Sequence, residues 1–360
     1  MVHGRTKHVF AGGDYDHRAS SGQEARGGLF RMAADGGDWQ ALTQGLPRDV
    51  EARAFAVHPF DRRLLFVGTQ DGPYRSADGG DHWERLDFPD RAAPIYSVSC
   101  HPARPEVIYA GAEGEGSAVY RSQDRGDRWQ RLPAAAPPGH CRMSFPPRVI
   151  CITADPSRPD DLYVAFEIGG VIRSSDGGES FSDVSASLIR LAEQPGLKNR
   201  SESDTDAEGL LDSHAVVISR AMPGTPLLGN RMGLFRGDDR GARWSDMQLG
   251  RFSPLTYCRG VAVSPHAPRT LYATLSPAAR STDGSLYRSD DFGQSWRRFD
   301  HGVQADATMV GVAPDLDDPA RVYCASRSGQ IFVTADDGRS WRETRLPAKV
   351  MQRVRFVACN

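Results

Sequence analysis

The phrase SADGGDHW at residues 76–83 decides the fold of this chain, because variants of it occur at six other places. Each copy has a small or hydroxyl residue, an Asp two positions later, a Gly two positions after that, and then an aromatic residue. The other copies are SQDRGDRW (122–129), SSDGGESF (174–181), GDDRGARW (237–244), SDDFGQSW (289–296), TADDGRSW (334–341) and a shortened AADGGDW (33–39). Their Asp residues lie 43 to 63 positions apart, around the ~40–50-residue period of a propeller blade.

Short β-like runs surround each copy. In the second unit, RAFAVHP (53–59) and LLFVGT (64–69) come first, PYRS leads into the phrase, and WERL follows it. Four short strands per unit, separated by turn residues, are typical of a propeller blade. The sequence therefore predicts an all-β, seven-bladed propeller.

The two ends of the chain complement each other in this pattern. The N-terminal unit begins with HVFAGG (8–13), which matches a second strand, and VRFVAC (354–359) supplies the missing first strand. Pairing of these runs would close the ring and remove exposed sheet edges. We expect one propeller domain over residues 1–360. Its predicted blades are 354–359 with 8–42, 53–86, 95–132, 148–184, 213–247, 258–299 and 308–346.

The repeated phrase has the composition of a turn. Its Asp carboxylate and Ser or Thr hydroxyl can accept hydrogen bonds from turn amides, and its Gly tolerates a positive φ. The aromatic residue would pack against a neighbouring blade. Turn chemistry explains all seven copies, so we expect a structural role for these Asp residues rather than catalysis or metal binding.

These phrases resemble the Asp-box, or BNR repeat, of sialidases, two-domain xyloglucanases, sortilin-type receptors and propeller-type photosystem II assembly factors. The resemblance covers essentially the whole chain and implies the propeller fold. It implies no single activity, since enzymes, receptors and scaffolds share the box. The Arg-Ile-Pro motif of sialidases has its nearest counterpart in FRMAAD (30–35), which lacks Ile-Pro, so the sialidase activity is not expected here.

The composition narrows the range of functions. The formal net charge of −2 gives no general attraction to nucleic acid or to membranes. No stretch approaches the ~18 apolar residues of a spanning helix, and the first residues lack the apolar core of a signal peptide. Six cysteines without a CxxC pair predict reduced thiols in a cytoplasmic protein. No motif identifies a cofactor, and phosphate-binding and serine-hydrolase motifs are missing.

The two faces of the predicted ring differ in loop length. The boxes should lie on one face, named here the box face. The opposite face, named the long-loop face, should carry the segments 12–28, 133–147, 182–213 and 274–285. Long loops on a rigid scaffold often carry binding and catalysis. The polar segment 182–213 is expected to be either mobile or a lid.

Arginines should converge on the channel at the long-loop face. They occupy the starts of first strands and the ends of second strands. The predicted substrate-binding residues are Arg53, Arg148, Arg231, Arg259, Arg327 and Arg353. A guanidinium offers a planar set of donors suited to carboxylate, phosphate or sulfate. The alternative is that each arginine pairs with a neighbouring acid in a structural network.

Acid–base candidates occupy the same face. Glu113 and Glu167 lie at matching positions of adjacent blades, so they would approach each other as a carboxylate pair suited to glycoside hydrolysis. His214 opens a first strand, and Asp212, two residues earlier, would orient it. Glu167 and His214 are the predicted acid–base pair, and Glu113 and Tyr257 complete the predicted catalytic set as reserve candidates. The residues His17, His140, Cys141 and His214 share the face but show no metal-site spacing, so we expect no metal.

Two functions follow from this pattern. The first is a cytoplasmic hydrolase or lyase that acts on a small anionic or sugar-like substrate in the central funnel. The second is a non-enzymatic module that binds a protein partner on the long-loop face. Neither nucleic acid nor a membrane is expected as a partner.

Overall fold

The computed structural model of the chain describes residues 7–14, 27–90, 92–114, 118–137, 141, 145–347 and 353–360. It contains seven antiparallel sheets of four strands each, which form the blades of a propeller. In each blade the first strand lies innermost. The first strands of adjacent blades contact one another all the way round, from blade 1 through blade 7 and back. The predicted seven-bladed fold is confirmed.

The strands of the first four blades follow the predicted order. Blade 1 has Arg353–Cys359, His8–Asp14, Gly28–Ala33 and Gln40–Ala41. Blade 2 has Ala54–Val57, Leu65–Thr69, Gly72–Ser76 and Glu84–Arg85. Blade 3 has Ile95–Cys100, Ile108–Ala112, Val119–Ser122 and Gln130–Arg131. Blade 4 has Arg148–Asp155, Arg158–Glu167, Gly170–Ser174 and Ser182–Asp183.

The remaining three blades repeat this arrangement. Blade 5 has Ser213–Ile218, Pro226–Asn230, Leu234–Asp238 and Arg243–Asp246. Blade 6 has Tyr257–Val263, Leu271–Ser276, Ser285–Ser289 and Arg297–Arg298. Blade 7 has Met309–Pro314, Val322–Ser326, Gln330–Thr334 and Arg342–Arg345.

Helices are few and short. Among the described residues, the α-helices are Ala186–Arg190 and Glu208–Leu211. The 3₁₀ helices are Leu191–Glu193, Pro195–Leu197, Asp239–Gly241 and Leu249–Arg251. In the described part of the chain, none of these helices has the length and apolar character needed to cross a membrane.

The C-terminal strand closes the ring, as the sequence predicted. Arg353–Cys359 pairs antiparallel with His8–Asp14, with Val9 opposite Cys359 and Asp14 opposite Arg353. Blade 1 therefore combines the first and the last described strands, and the inner side of His8–Asp14 is paired.

Adjacent blades pack closely through small residues on the second strands. A Cβ at Gly111 would lie 2.3 Å from the Val149 side chain of the next blade, so no larger residue fits without displacement. Around this contact, the buried side chains of Ile95, Val119 and Phe166 join the cores of blades 3 and 4. Each such side chain contributes about 1.5–3 kcal/mol through burial.

Five of the seven boxes form the predicted turn, as the box of blade 4 illustrates. Ser174 Oγ donates to Asp176 Oδ1 at 2.6 Å and accepts from the Gly178 amide at 2.9 Å. Asp176 Oδ1 accepts from the Ser180 amide at 3.0 Å. Gly178 has a φ of +102°. Equivalent hydroxyl–glycine bonds occur in blades 2, 3, 6 and 7, so the turn role is confirmed there.

The boxes of blades 1 and 5 lack the hydroxyl, because Ala33 and Gly237 occupy its position. In blade 5, Asp239 instead pairs with Arg243 at 2.8 Å. The aromatic contact survives in both blades. Trp244 Nε1 donates to the Val184 carbonyl of blade 4 at 2.8 Å, and the Trp39 indole donates to a blade 7 hydroxyl. Packing on the preceding blade is therefore the more general property of the box.

The segment 182–213 folds against the ring. Leu188, Leu210 and Leu211 are fully buried in a cluster with residues of blades 4 and 5. Glu208 is 0% exposed, and its Oε2 accepts the amides of residues 201–203 at 2.8–2.9 Å. Of the two expectations for this segment, mobility is not what the packing shows, because its leucines are buried and its buried acids, Glu208 and Asp212, are bonded within the fold.

Candidate functional site

The first strand of every blade carries one extra residue near the long-loop face. In six blades the pairing with the second strand shifts there, as in a β-bulge. In blade 2, Gly68 is the partner of Ala54, and its carbonyl also accepts the Arg53 amide at 2.8 Å. The seven extra residues, named here the bulge ring, are Arg355, Arg53, Tyr96, Ile150, His214, Arg259 and Val310 in blade order. Bulges redirect side chains, and these seven residues all line one cavity.

This cavity occupies the central channel and has a volume of about 220 Å³. The bulge ring contributes its polar lining. Further along the first strands the lining is apolar, from Val261, Val312, Phe356 and Val357. Two polar arcs, in blades 1–3 and blades 5–6, are separated by the single apolar residues of blades 4 and 7. The site is thus charged toward the long-loop face and apolar below.

Arg53 offers unused donors to this cavity. Its Nη2 lies 2.6 Å from Glu51 Oε2, whereas its Nε and Nη1 are buried and make no hydrogen bond. The guanidinium lies over the Tyr96 ring, 4.8 Å from the centroid, which supports the cation by a cation–π contact. Buried donors without partners are costly, so an incoming acceptor would be stabilised here.

Arg259, in the second polar arc, forms no ion pair within the described residues. Burial opposes its charge, but the nearby Tyr257, Asp212 and Glu167 outweigh that effect and raise the pKa of Arg259. It therefore remains cationic at the wall of the cavity. Of the predicted anion-binding arginines, Arg53 and Arg259 are the two that line this cavity.

Arg355 belongs to the site and was missed by the sequence analysis. Its Nη2 donates to Asp14 Oδ2 at 2.6 Å, and Arg353 Nε donates to Asp14 Oδ1 at 2.6 Å. Burial, more than any other influence, lowers the pKa of Arg355, and Arg259 across the ring contributes to the lowering. The available signal was the two-residue spacing of Arg353 and Arg355, which places both on one face of the first strand.

His214 lines the cavity with both ring nitrogens in contact with protein atoms. Nδ1 lies 2.8 Å from the Cys258 carbonyl, and Nε2 lies 3.3 Å from the Tyr257 hydroxyl and 3.5 Å from Asp212 Oδ2. The predicted approach of Asp212 to His214 is present. Burial raises the pKa of Tyr257, so its phenol holds its proton more firmly than usual.

Arg231 is held by acids rather than directed at the cavity. Its Nε lies 2.9 Å from Asp212 Oδ2, and its Nη1 lies 2.9 Å from Glu208 Oε1. Burial opposes ionisation of Asp212, but His214 and Arg231 lower its pKa to about 2. This arrangement matches the structural network that the sequence left as the alternative.

Both members of the predicted carboxylate pair, Glu113 and Glu167, bind the guanidinium of Arg148. Arg148 Nε donates to Glu113 Oε2, and Arg148 Nη1 donates to Glu167 Oε2 at 2.9 Å. Tyr96 also donates to Glu113, at 3.4 Å. One cation thus binds both carboxylates, whereas a general acid or base needs a position that is free to contact its substrate. Neither carboxylate lines the cavity.

The other predicted residues lie outside this cavity lining. Arg327 is half-buried, and its carbonyl accepts the Val354 amide where blades 7 and 1 meet. Tyr257 does not line the cavity but contacts two residues that do, His214 and Arg259. The bulge ring thus brings together three of the ten predicted site residues. These three are Arg53, His214 and Arg259.

The described residues provide no metal centre. His17 and His140 lie outside those residues, and Cys141 is half-buried against the leucines of segment 182–213. In the ranges that the structure describes, no group of three His, Cys, Asp or Glu residues is arranged to hold a metal ion.

Comparison with known proteins supports the fold. A Sortilin-Vps10 family model, described as sortilin, neurotensin receptor 3, matches residues 284–360. No curated protein matches the chain. The propeller with Asp-box repeats therefore belongs to the same broad class as sortilin-type propellers.

Among solved structures, an ancestral GH74 enzyme is similar, with a TM-score of 0.61, 16% identity and 85% of this chain covered. The chain spans 40% of the length of that enzyme. YCF48 from Cyanidioschyzon merolae has a TM-score of 0.58 and 16% identity over 86% of this chain and 89% of its own. YCF48 bound to a D1 peptide has a TM-score of 0.54 and 13% identity, over 83% of each chain. At these identities the likeness concerns the fold alone, which enzymes and non-enzymes share.

Proposed function

We propose that this propeller is a binding module for a small organic carboxylate, which it holds inside the bulge ring. The carboxylate would accept from Arg53 and Arg259, and the apolar part of the ligand would extend toward Val261 and Val312. The observation that carries the proposal is the pair of buried, unused donors on Arg53 beside a cavity that is also lined by Arg259, which forms no ion pair among the described residues.

The cavity favours a carboxylate with an apolar group over a bare inorganic anion. Guanidinium groups bind carboxylate, phosphate and sulfate alike. The apolar lining below the ring gains free energy only from a ligand with hydrocarbon, at about 0.8 kcal/mol per buried methylene. A volume of about 220 Å³ limits the ligand to a short chain or a single ring.

The contacts of the acid–base candidates support a binding function better than a catalytic one. Glu113 and Glu167 are both bound to Arg148, and His214 has protein partners on both nitrogens. A group that transfers protons needs a free position facing its substrate. The hydrolase or lyase predicted from the sequence would require these contacts to break first.

Calorimetric titration with acetate, butanoate and hexanoate tests the proposal. We expect affinity to rise about fourfold per methylene while the chain fits, in line with the free energy of methylene burial. Arg259→Gln should remove most of the binding, because it deletes a cation without leaving an acid unpaired. Arg128→Gln, at a side chain that is 93% exposed on the box face, is the matched control.

Three outcomes would contradict the proposal. Equal affinity for acetate and hexanoate would exclude the apolar contact. Unchanged binding in Arg259→Gln would place the anion elsewhere. Consumption of the ligand, followed by proton NMR over a day, would favour the enzyme hypothesis over a binding module.

A further inference from the structure

A second cavity lies on the box face, opposite the bulge ring. Its volume is about 620 Å³, and it is bounded by blades 7, 1 and 2, where the C-terminal strand closes the ring. Blade 1 contributes Lys7 and Arg31, blade 2 contributes Arg62 and Arg63, and blade 7 contributes Asp317. Nothing in the carboxylate proposal uses this cavity.

The charged side chains of this cavity do not balance. Four cationic side chains line it, against three carboxylates, Asp78, Asp81 and Asp317. His8 also lines it, and burial is the main influence that lowers the pKa of His8, so this ring is neutral at pH 7. The local charge of the lining side chains is therefore positive, in a chain with a net charge of −2.

The three carboxylates are already occupied. Asp317 accepts from Lys7 at 2.9 Å and from Arg62 at 2.6 Å, so two cations share one negative charge. Asp81 pairs with Arg31 at 2.5 Å. Asp78 is bonded within its own box by Ser76 and His82. Among the described residues the Arg63 side chain has no ion pair, and it is exposed.

Two apolar side chains accompany this positive charge. Phe60 is 56% exposed and Leu316 is 37% exposed, and they are the large hydrophobic residues that the described part of the chain leaves exposed. Phe60 lies two residues before Arg62, and Leu316 directly precedes Asp317. Exposed apolar residues beside unbalanced charge are typical of a surface that a partner covers.

We infer that the box face at blades 7, 1 and 2 is a docking surface for a protein segment that combines acidic and bulky apolar residues. The acidic residues would pair with Arg63 and with the Arg62–Lys7 cations, and the apolar residues would cover Phe60 and Leu316. This surface lies on the face opposite the one that the sequence analysis assigned to a protein partner.

Fluorescence anisotropy with three labelled peptides tests this inference. The probe Gly-Leu-Asp-Phe-Asp-Leu-Gly carries both features. One comparison peptide has Lys in place of Asp, and the other has Ser in place of Leu and Phe. We expect the probe to bind at least tenfold more tightly than either comparison peptide. Its affinity should fall as salt is raised from 50 to 300 mM, since exposed charges are screened (Debye length about 8–10 Å at 0.1–0.15 M).

Substitutions locate the peptide on this surface. Arg63→Glu and Phe60→Ser affect exposed residues, so each variant should fold, and each should weaken the probe about tenfold. Arg128→Glu, on the box face of blade 3, is the matched control for charge and should leave the affinity unchanged. Arg259→Gln should also leave it unchanged, which separates this surface from the bulge ring.

Several results would overturn the inference. These are equal affinity for the acidic and the basic peptide, undiminished binding by Arg63→Glu together with Phe60→Ser, and loss of binding in Arg259→Gln. Sedimentation equilibrium tests whether a second copy of this chain occupies the surface. Self-association that Phe60→Ser abolishes would assign the surface to a second copy of this chain instead.

Discussion

The box carboxylates and two buried carboxylates of the long-loop face are held in different ways. On the box face, Asp78, Asp176 and Asp336 are exposed or half-buried, and each is bonded by groups within four residues of itself. On the long-loop face, Asp14 is 1% exposed and is bonded by Arg353 and Arg355. Glu208 is 0% exposed and is bonded by the amides of residues 201–203 and by Arg231. The comparison teaches that local turns shape each blade, whereas buried ion pairs join parts of the chain that are distant in sequence.

Asp14→Ala should produce the largest effect. It leaves Arg353 and Arg355 without their shared carboxylate where the ring closes. Breaking a buried ion pair from one side typically costs about 3–5 kcal/mol. Urea unfolding should show this loss, and Asp35→Ala, an exposed position in the same blade, should change the free energy of unfolding by less than about 0.5 kcal/mol.

Glu208→Gln should have the next largest effect. The substitution keeps the shape of the side chain but removes the charge that accepts three amides and Arg231. Hydrogen bonds to charged groups contribute about 1.5–3 kcal/mol. The loss should appear in the melting temperature, and Glu202→Gln, exposed in the same segment, is the matched control. Equal melting temperatures for the two variants would contradict the role of Glu208 as the anchor of this segment.

Ser174→Ala should have a smaller effect, because it removes one turn among five similar ones. The Gly178 amide would lose its acceptor, at about 1 kcal/mol. The neighbouring exposed Ser175→Ala should be neutral by the same thermal measurement. A loss as large as that of Asp14→Ala would show that the boxes hold the ring together as strongly as the buried pairs do.

The pH dependence of stability should distinguish the buried carboxylates from the box carboxylates, and it is the smallest of the expected effects. Burial opposes the charge of Asp14, but Arg355 and Arg353 outweigh it and lower its pKa to about 2. Hydrogen bonds from Ser340 and Thr334 lower the pKa of Asp336 to about 2 as well, at a position open to solvent. A carboxylate with a lowered pKa stabilises the fold above its unfolded pKa, near 4, and loses that contribution as pH falls through the folded value.

Unfolding free energies measured from pH 6 to pH 2 should therefore decline below about pH 4. Asp14→Asn should flatten the decline. Asp336→Asn should change it little, because solvent screens exposed charges. A steeper effect of Asp336→Asn would mean that the box carboxylates, and not the buried ones, dominate acid unfolding.

The fold was predictable because its signal is local and repeated. Seven similar turns at blade spacing, and complementary runs at 8–13 and 354–359, required no knowledge of distant contacts. The two weaker boxes were recognisable by spacing even though Ala33 and Gly237 replace the hydroxyl. Each blade repeats the same kind of turn, so divergent residues in one copy did not change the number of blades that the sequence predicted.

The candidate site was only partly predictable. Three residues predicted from strand starts, Arg53, His214 and Arg259, line the cavity, but a bulge adds one residue and changes which side chains face the channel. That shift is invisible in a single sequence, so the spacing of Arg353 and Arg355 alone did not show that Arg355 would line the cavity. The partners of Arg148 and Arg231 depend on neighbouring strands, and the sequence could offer a structural network only as an alternative.

The closure of blade 1 has a consequence for synthesis of the chain. Asp14 and Arg353 are separated by 339 residues, which a ribosome needs on the order of 20–70 s to add. During that time the strand His8–Asp14 has made no pairing on its inner side and presents an open edge, which invites pairing with other chains. Protection of this edge by a chaperone, or by the charged residues around it, would then decide the yield of folded protein in a cell.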